Sequence, residues 1–374
     1  MISSVPERYM ARALELARRG LFTTDPNPRV GCVIVKDAHI VGEGYHLRTG
    51  EPHAEIHALN AAGEQARGAT AYVTLEPCAH YGRTGPCALA LAEAGIVRVV
   101  AAMKDPNPLV AGRGFAILEE AGVAVEYGLL EHEARQLNPG FISRMARGRP
   151  YVRLKMAMSL DGRTAMASGE SQWITGAEAR REVQRLRARS SAVMTGIDSI
   201  LYDDSRLTVR AEQLGCADAE TIAMRQPLRV VVDSRLRMPL AANCLTQPGR
   251  TLIATAQQGN NERRERLLNA GAEVIELPDE TGERVDLAAL MSHLAQHEGC
   301  NEVLLETGAT LAGAMLDAEL IDEMHLFMAP ALLGGQARPL FALSGMTSMT
   351  QQRRLDIDDI RAVGKDWRII ARPI

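Results

Sequence analysis

The sequence predicts an α/β fold built as two successive layered domains. Three observations carry that prediction. The chain has 374 residues, enough for two or three ordinary domains. Short β-branched runs alternate with helical periods along both halves, the signature of helices packed on a sheet. The pattern also restarts after the basic stretch Arg147-Gly-Arg-Pro150. The first domain is therefore expected over 1–146, a linker over 147–150, and the second domain over 151–374.

The N-terminal segment through Arg19 has amphipathic spacing closed by Gly20, and its charges make it a helix, not a signal peptide. Val30–Val35 and Ile40–Tyr45 flank a turn and read as a hairpin. Ala54–Ala62 is helical and ends at Gly63. A strand over Ala69–Leu75 follows, then a helix over Pro86–Ala94 with Pro in its first turn and Gly95 beyond its end. Ile96–Ala101 (strand), Gly114–Ala121 (helix), Ala124–Tyr127 (strand) and the amphipathic Glu131–Ala146 complete the domain. In the second domain strands are expected at Tyr151–Met158, Ala192–Thr195, Leu228–Val232, Thr251–Thr255, Glu273–Leu277, Glu302–Leu305 and Met324–Ala329. Helices are expected at Ala177–Arg189 and Leu311–Ala318, and a terminal strand pair turns at Val363–Asp366. Met156, Met158 and Met166 read as core filler.

Composition narrows the function. A hydrophobic fraction of 46% with 24% charged residues is that of a globular protein. Net charge is −4 and aromatics are 4%, so neither an electrostatic pull toward nucleic acid nor a base-stacking platform is expected. Six cysteines are too few for a disulfide framework and read as free thiols plus a metal site in a reducing compartment. No run of about 18 apolar residues suggests a membrane span. The expected location is the cytoplasm.

The sharpest motif is His53-Ala-Glu55 followed by Pro77-Cys78 and Pro86-Cys87. Catalytic zinc takes three protein ligands and leaves a corner for water, and His53, Cys78 and Cys87 supply that number. Two thiolates offset the ion's charge. His53 and Cys87 fall at expected helix starts, where the positive helix end favours a thiolate. Glu55, two residues from His53, suits a proton shuttle beside the ion better than a fourth ligand. A closed structural zinc site completed by His57 or His80 is the competing reading. In the second half, the strand ending at Glu306 runs through Thr-Gly-Ala-Thr310 into a helix, a turn that presents backbone N–H groups to a phosphate. No G-x-G-x-x-G is present.

The His-x-Glu and paired Pro-Cys pattern is that of zinc deaminases. Its eight-residue spacing, PCAHYGRTGPC, together with TTDPNPRVGCVIV, GEGYH and GEPHAE, resembles the pyrimidine deaminases of riboflavin biosynthesis over essentially the whole first domain. The segments LKMAMSLDGRTAMASGESQWIT, DDSRLTVR, VVVDSR, ETGATLAGAML and APALLGG resemble, in order, the reductase fused to that deaminase. The resemblance implies a cytidine-deaminase-like domain followed by a dihydrofolate-reductase-like one. It implies zinc and NADPH as cofactors and a small phosphorylated pyrimidine as substrate, with no nucleic acid or membrane partner. A homo-oligomer, dimer or tetramer, is expected.

The implied reactions are deamination of 2,5-diamino-6-ribosylamino-4(3H)-pyrimidinone 5′-phosphate, then reduction of its ribosyl chain to ribityl. Carried over by motif, Glu55, Lys155 and Asp203 are the catalytic candidates. Asn27, His46, His80, Arg83, Thr84, Ser171, Arg187, Leu207, Arg210 and Glu306 would touch substrate. Ala157, Trp173, Ser199, Asp203, Ser234 and the run Gly308, Ala309, Thr310, Leu311, Ala312, Gly313 and Ala314 would touch the dinucleotide. Two positions depart from the family pattern: Ser205 replaces a usual Pro, and Thr307 a usual Gly. Taken without the resemblance, Arg187 reads as part of a solvated basic helix face. A nucleic-acid base deaminase sharing the zinc pocket, and a binding module with a decayed reductase half, are the other function classes; the charge argues against the first, whereas Ser205 and Thr307 keep the second open.

Overall fold

The computed structural model describes residues 4–79, 85–108, 110–259, 261–343 and 345–374. The chain divides into two compact units, Met1–Gly148 and Arg149–Ile374. Among the described residues no helix is long and apolar enough to cross a membrane.

In the first unit, α1 (Val5–Arg18) starts from a Ser4–Glu7 capping box and buries Met10, Ala13, Leu14 and Ala17, a helical stripe. The order continues β1 (Gly31–Lys36), β2 (His39–Tyr45), α2 (Ala54–Ala62), β3 (Thr70–Val73), α3 (Cys87–Glu93), β4 (Arg98–Ala101), α4 (Arg113–Glu120), β5 (Ala124–Tyr127), α5 (Glu131–Leu137) and α6 (Pro139–Arg147). The sheet runs β2-β1-β3-β4-β5, antiparallel about β1 and parallel from β3 to β5. Alternate residues of its strands feed two cores. Cys32, Ile34, Val73 and Val99 pack with Ala54 and Ala58 on one face, and Val33, Tyr72 and Val100 pack with Met10 and Leu14 on the other. The amphipathic stretch Glu131–Ala146 forms two helices: Asn138 leaves helical geometry and Pro139 cannot continue the ladder, so α6 starts anew.

The GEGYH segment explains how α2 reaches the sheet. A Cβ on Gly44 would lie 2.3 Å from the Ala54 carbonyl oxygen, so glycine lets the start of α2 rest directly on β2. That places His53 and Glu55 over the sheet.

The second unit contains β6 (Tyr151–Ser159), β7 (Arg163–Ala165), α7 (Ala177–Arg189), β8 (Ala192–Gly196), α8 (Ile197–Asp203), α9 (Ala219–Ala223), β9 (Leu228–Val232), α10 (Asn243–Thr246), β10 (Thr251–Thr255), α11 (Glu262–Asn269), β11 (Glu273–Glu276), α12 (Leu287–Gln296), β12 (Glu302–Glu306), α13 (Ala309–Asp317), β13 (Glu323–Ala329), β14 (Arg338–Pro339), β15 (Leu355–Val363) and β16 (Asp366–Pro373). Its nine-stranded sheet is ordered β11-β10-β9-β8-β12-β6-β13-β16-β15. Strands β11 to β13 are parallel, and β16 and β15 close the edge antiparallel. One face packs Val152, Leu154, Met156 and Val303 against Leu290 and Met315, and the other packs Val193, Leu304 and Phe327 against Val183 and Leu186.

The sequence reading missed β7, β14 and the helices α8 to α12. Most are short, and packing rather than a long period defines them. Helix α13 begins at Ala309, two residues before the expected Leu311. Met156 and Met158 line the core, but Met166 is surface-exposed, which corrects the filler assignment.

Candidate functional site

In the first unit the three expected metal donors converge. His53 is the extended residue preceding α2, Cys78 follows β3 in an irregular turn, and Cys87 opens α3. Their donor atoms all lie within 4.8 Å of one another. The Cys87 Sγ is 3.3 Å and the Cys78 Sγ 3.6 Å from His53 Nδ1. Cys78 Sγ also accepts the Cys87 backbone N–H at 3.3 Å. The hydrogen bond from Cys87 holds the Cys78 thiol below its usual value, whereas the same bond and burial push Cys87 up. A soft sulfur pair with one imidazole nitrogen is the donor set zinc takes, and no other such cluster occurs among the described residues. His57, offered as a fourth ligand, stays out of the cluster, and its Nε2 is buried without a hydrogen bond.

Glu55 is 3% exposed in the first turn of α2. Burial, then the Cys78 thiolate, push its carboxyl up to about 7, and it hydrogen-bonds the Cys87 thiol. A carboxyl so placed can hold or give up a proton near neutral pH. His46 meets the His53 ring edge-on at 5.3 Å between centroids. Its Nδ1–H donates to the Pro52 carbonyl at 3.1 Å, so its Nε2 accepts from Asn27 Nδ2 at 3.1 Å. Burial holds His46 below its usual value, in the neutral form this pattern needs. Asn27 and His46 are thus brought to the metal donors. His80, Arg83 and Thr84 lie outside the described residues.

In the second unit the expected residues fall at the carboxyl ends of adjacent parallel strands, where open α/β sheets bind ligands. Lys155 on β6 and Glu306 on β12 are register partners. Both Glu306 oxygens accept from Arg187, Oε1 from Nε at 2.6 Å and Oε2 from Nη2 at 2.9 Å, and Arg187 Nη1 donates to the Thr208 carbonyl at 2.9 Å. Arg187 is 9% exposed, so it is a buried partner of Glu306 and not part of a solvated face. The helical period could not show this, because the partner lies 119 residues away. Burial raises Glu306, but Arg187, Lys155 and Arg210 outweigh it and hold the carboxyl below its ordinary value. Burial lowers Lys155 toward its neutral form, Glu306 opposing.

Helix α13 begins behind the exposed Gly308, with no side chain capping it. The first N–H groups of Ala309, Thr310 and Leu311 thus face a position suited to an anion. Ser199 on α8 and Ser234 after β9 sit at neighbouring strand ends, and Ala157 lies near the end of β6. These placements fit a dinucleotide lying across the strand ends. The same geometry revises other expectations. Ala312 is fully buried in the core, and a Cβ on Gly313 would lie 2.4 Å from the Ala342 carbonyl oxygen, so both serve packing, with Ala314 a turn further from the anion position. The Leu207 side chain joins the core, its backbone held at φ 56°, leaving only main chain to meet a ligand. Asp203 is exposed and hydrogen-bonded by Ser171 Oγ at 3.3 Å; among the described residues no hydrogen bond joins it to Lys155 or Glu306. Trp173 is exposed under the Arg180 guanidinium. Neither Thr307 nor Gly308 is left-handed, so the Cβ of Thr307 adds no backbone strain. Asp204 is the left-handed residue that ends α8, and Ser205 follows it.

Residues 3–103 match the cytidine and deoxycytidylate deaminase zinc-binding region, and residues 150–369 match the RibD C-terminal domain. The riboflavin biosynthesis protein RibD of Escherichia coli K12 is 52% identical over 366 residues, 96% of this chain and 97% of its own. The chain belongs to the RibD family. The Haemophilus influenzae RibD is 45% identical over 98% of this chain and 96% of its own. Among solved structures, Acinetobacter baumannii RibD covers 99% of both chains at 49% identity with a TM-score of 0.91. A Thermotoga maritima diaminohydroxyphosphoribosylaminopyrimidine deaminase/5-amino-6-(5-phosphoribosylamino)uracil reductase does so at 31% identity with a TM-score of 0.83. Both halves therefore carry the expected folds, a deaminase unit followed by the RibD reductase unit.

The sequence reading overlooked two features. The tetrapeptide Asp-Pro-Asn-Pro at 25–28, which supplies Asn27, recurs at 105–108 just past β4. The recurrence is legible without a structure. Glu76, directly before Pro77-Cys78, is buried and accepts three backbone N–H groups. A carboxylate in an otherwise apolar strand end was its only signal.

Proposed function

We propose that this chain is a bifunctional enzyme of riboflavin biosynthesis. It deaminates 2,5-diamino-6-ribosylamino-4(3H)-pyrimidinone 5′-phosphate, then reduces the ribosyl side chain to give 5-amino-6-ribitylaminouracil 5′-phosphate. The observation that carries this reading is the His53, Cys78 and Cys87 donor cluster with the buried Glu55 carboxyl against it. Deamination belongs to residues 1–146 and reduction to 151–374, with 147–150 between them.

Zinc held by His53, Cys78 and Cys87 would supply an acidified water as the nucleophile. Glu55 takes the water proton and hands protons to the ring nitrogen and the departing ammonia. Neutral His46, fixed by the Pro52 carbonyl, holds Asn27 toward the substrate, and His80, Arg83 and Thr84 contribute to the 5′-phosphate and sugar. NADPH bound across the strand ends would supply the hydride. Gly308 to Leu311 would hold its phosphates by backbone N–H groups, and Ala157, Trp173, Ser199 and Ser234 would contact the rest of it. The Lys155 ammonium, made more acidic by burial, donates the proton that completes reduction at the sugar, and Glu306 holds Lys155 in place while Arg187 fixes Glu306. Ser171, Arg210 and the Leu207 main chain line the substrate side, and Asp203 orients Ser171.

The chain is read as cytoplasmic and as a homo-oligomer. The outermost hairpin of its large sheet exposes Leu355, Ile357, Ile360 and Trp367, apolar surface that a second copy would cover. The deciding experiment combines metal analysis of the purified protein with conversion of the diaminopyrimidinone phosphate. One zinc per chain, ammonia release without NADPH, and NADPH consumption only after deamination are expected. A protein with no stoichiometric zinc, or ammonia release that a chelator leaves intact, overturns the reading.

A further inference from the structure

One of the three metal donors stands on chain that has no regular structure. Cys78 lies in the irregular segment after β3, whereas His53 and Cys87 are anchored at helix starts. Something other than a helix or ladder has to hold it still.

Glu76 does so from two residues away. Its carboxylate is 3% exposed. One oxygen accepts the Gly114 N–H at 2.9 Å, and the other accepts those of Gly112 at 3.0 Å and Asp105 at 3.1 Å. Its own N–H donates to the Met103 carbonyl at 3.0 Å. One side chain thus ties the end of β3 to the turn after β4 and to the first residues of α4, whose positive end favours an anion. No ion pair to Glu76 occurs among the described residues, so backbone donors alone compensate the buried charge. The next residue is locked by shape. A Cβ on Gly114 would sit 1.9 Å from the Pro77 carbonyl oxygen, so only glycine there lets α4 press on Pro77. On its other side, Cys78 accepts the Ala88 N–H on its carbonyl at 3.3 Å and the Cys87 N–H on its sulfur. Cys78 is held between α4, through Glu76 and Pro77, and α3.

An acceptor-only group is required at 76. A glutamine amide would aim its NH₂ at N–H donors and leave some of them unpaired. We propose that Glu76 is a positioning residue of the metal centre: by tying itself to the Asp105, Gly112 and Gly114 backbone it fixes the Cys78 sulfur at the distance from His53 and Cys87 that grips the ion. The proposal rests on the zinc reading above.

The test measures zinc affinity of the full chain by competition with a chromophoric chelator, and the visible spectrum after cobalt substitution, in wild type, Glu76→Gln and Glu76→Asp. Residues that orient ligands typically alter metal affinity by about 10- to 100-fold. We expect Glu76→Gln to weaken zinc by at least about tenfold and to shift the cobalt bands that report thiolate geometry. Glu76→Asp, which keeps the charge with a shorter reach, should fall between. A merely structural role would lower thermal stability but leave the cobalt spectrum of the folded protein unmoved, and that outcome overturns the proposal. So does zinc affinity within twofold of wild type. Should Glu76→Gln not fold, Glu76→Asp is judged by the same two criteria. If wild type itself binds no stoichiometric zinc, the underlying reading fails instead.

Discussion

The two candidate centres of this molecule are built by different means. The candidate metal donors of the first unit are at most 34 positions apart and lie within 4.8 Å of one another; His53 and Cys87 stand at helix starts, and Cys78 on the turn between them. The reductase crevice draws Lys155, Arg187, Ser234 and Glu306 from a span of about 150 residues, and only the parallel ladder β9-β8-β12-β6 lines them up. In the first centre the chemistry sits in the side chains themselves. In the second, much of it sits in backbone N–H groups and in one buried ion pair, Arg187–Glu306. A local cluster survives changes elsewhere in the fold, whereas a crevice assembled by topology depends on every strand being in place.

Replacing a metal donor gives the largest expected contrast. Cys87→Ser should abolish zinc binding and reduce ammonia release by at least about a thousandfold, while reduction of pre-deaminated substrate stays within about twofold. Loss of both activities would show that the two centres are not independent. Glu55→Gln should lower ammonia release by about 10² to 10⁴ with zinc retained; near-normal turnover removes Glu55 from its role.

Arg187→Ala sharpens the comparison from the other side. It strands the Glu306 carboxylate in a poorly solvated place, so the second unit should lose about 3–5 kcal/mol of stability, along with reduction. Both tryptophans, Trp173 and Trp367, belong to the second unit, so fluorescence-detected urea unfolding reads that unit alone. An unchanged midpoint would mean the pair contributes nothing.

Acid should separate the units more gently. Burial would raise Glu323, but Arg153 and then His325 hold it well below the ordinary carboxylate range, and Glu306 is likewise held down. Each folded carboxyl binds fewer protons than the unfolded one. The stability they confer is present above the unfolded value of about 4.3 and is lost as pH falls toward the folded values. The tryptophan-detected midpoint should therefore fall between about pH 5 and pH 3, and less steeply in Glu323→Gln; a flat profile contradicts the argument. The smallest effect is expected from Thr307→Gly, which restores the family residue. Since the site carries no left-handed strain, the NADPH dissociation constant should move by less than about threefold.

Local signals were legible where one residue type serves one purpose. The His-x-Glu and Pro-Cys motifs named the metal donors and Glu55, and the helix starts that present them showed in Pro86 and in the spacing of Ala54–Ala62. Without the family resemblance Arg187 reads as solvated, because a lone basic helix face looks so until its distant partner Glu306 is known. Ala312 and Gly313 read as phosphate-loop residues, but small side chains serve close packing as well: Ala312 is buried in the core and Gly313 sits against the Ala342 carbonyl. Glu131–Ala146 kept an apolar stripe through a Pro that nonetheless split it.

By itself the sequence determined the two-domain α/β order, the family, and the candidate metal donors, because periodicity and ligand chemistry are properties of short stretches of chain. Tertiary structure alone decided that Arg187 belongs to Glu306. It also decided that Leu207 is core, and that Glu76 and Gly114 seat the Cys78 turn. The physical reason is the same in each case: hydrogen bonding and exclusion of volume act over a few ångströms of space, and only the folded backbone brings residues tens of positions apart within that reach.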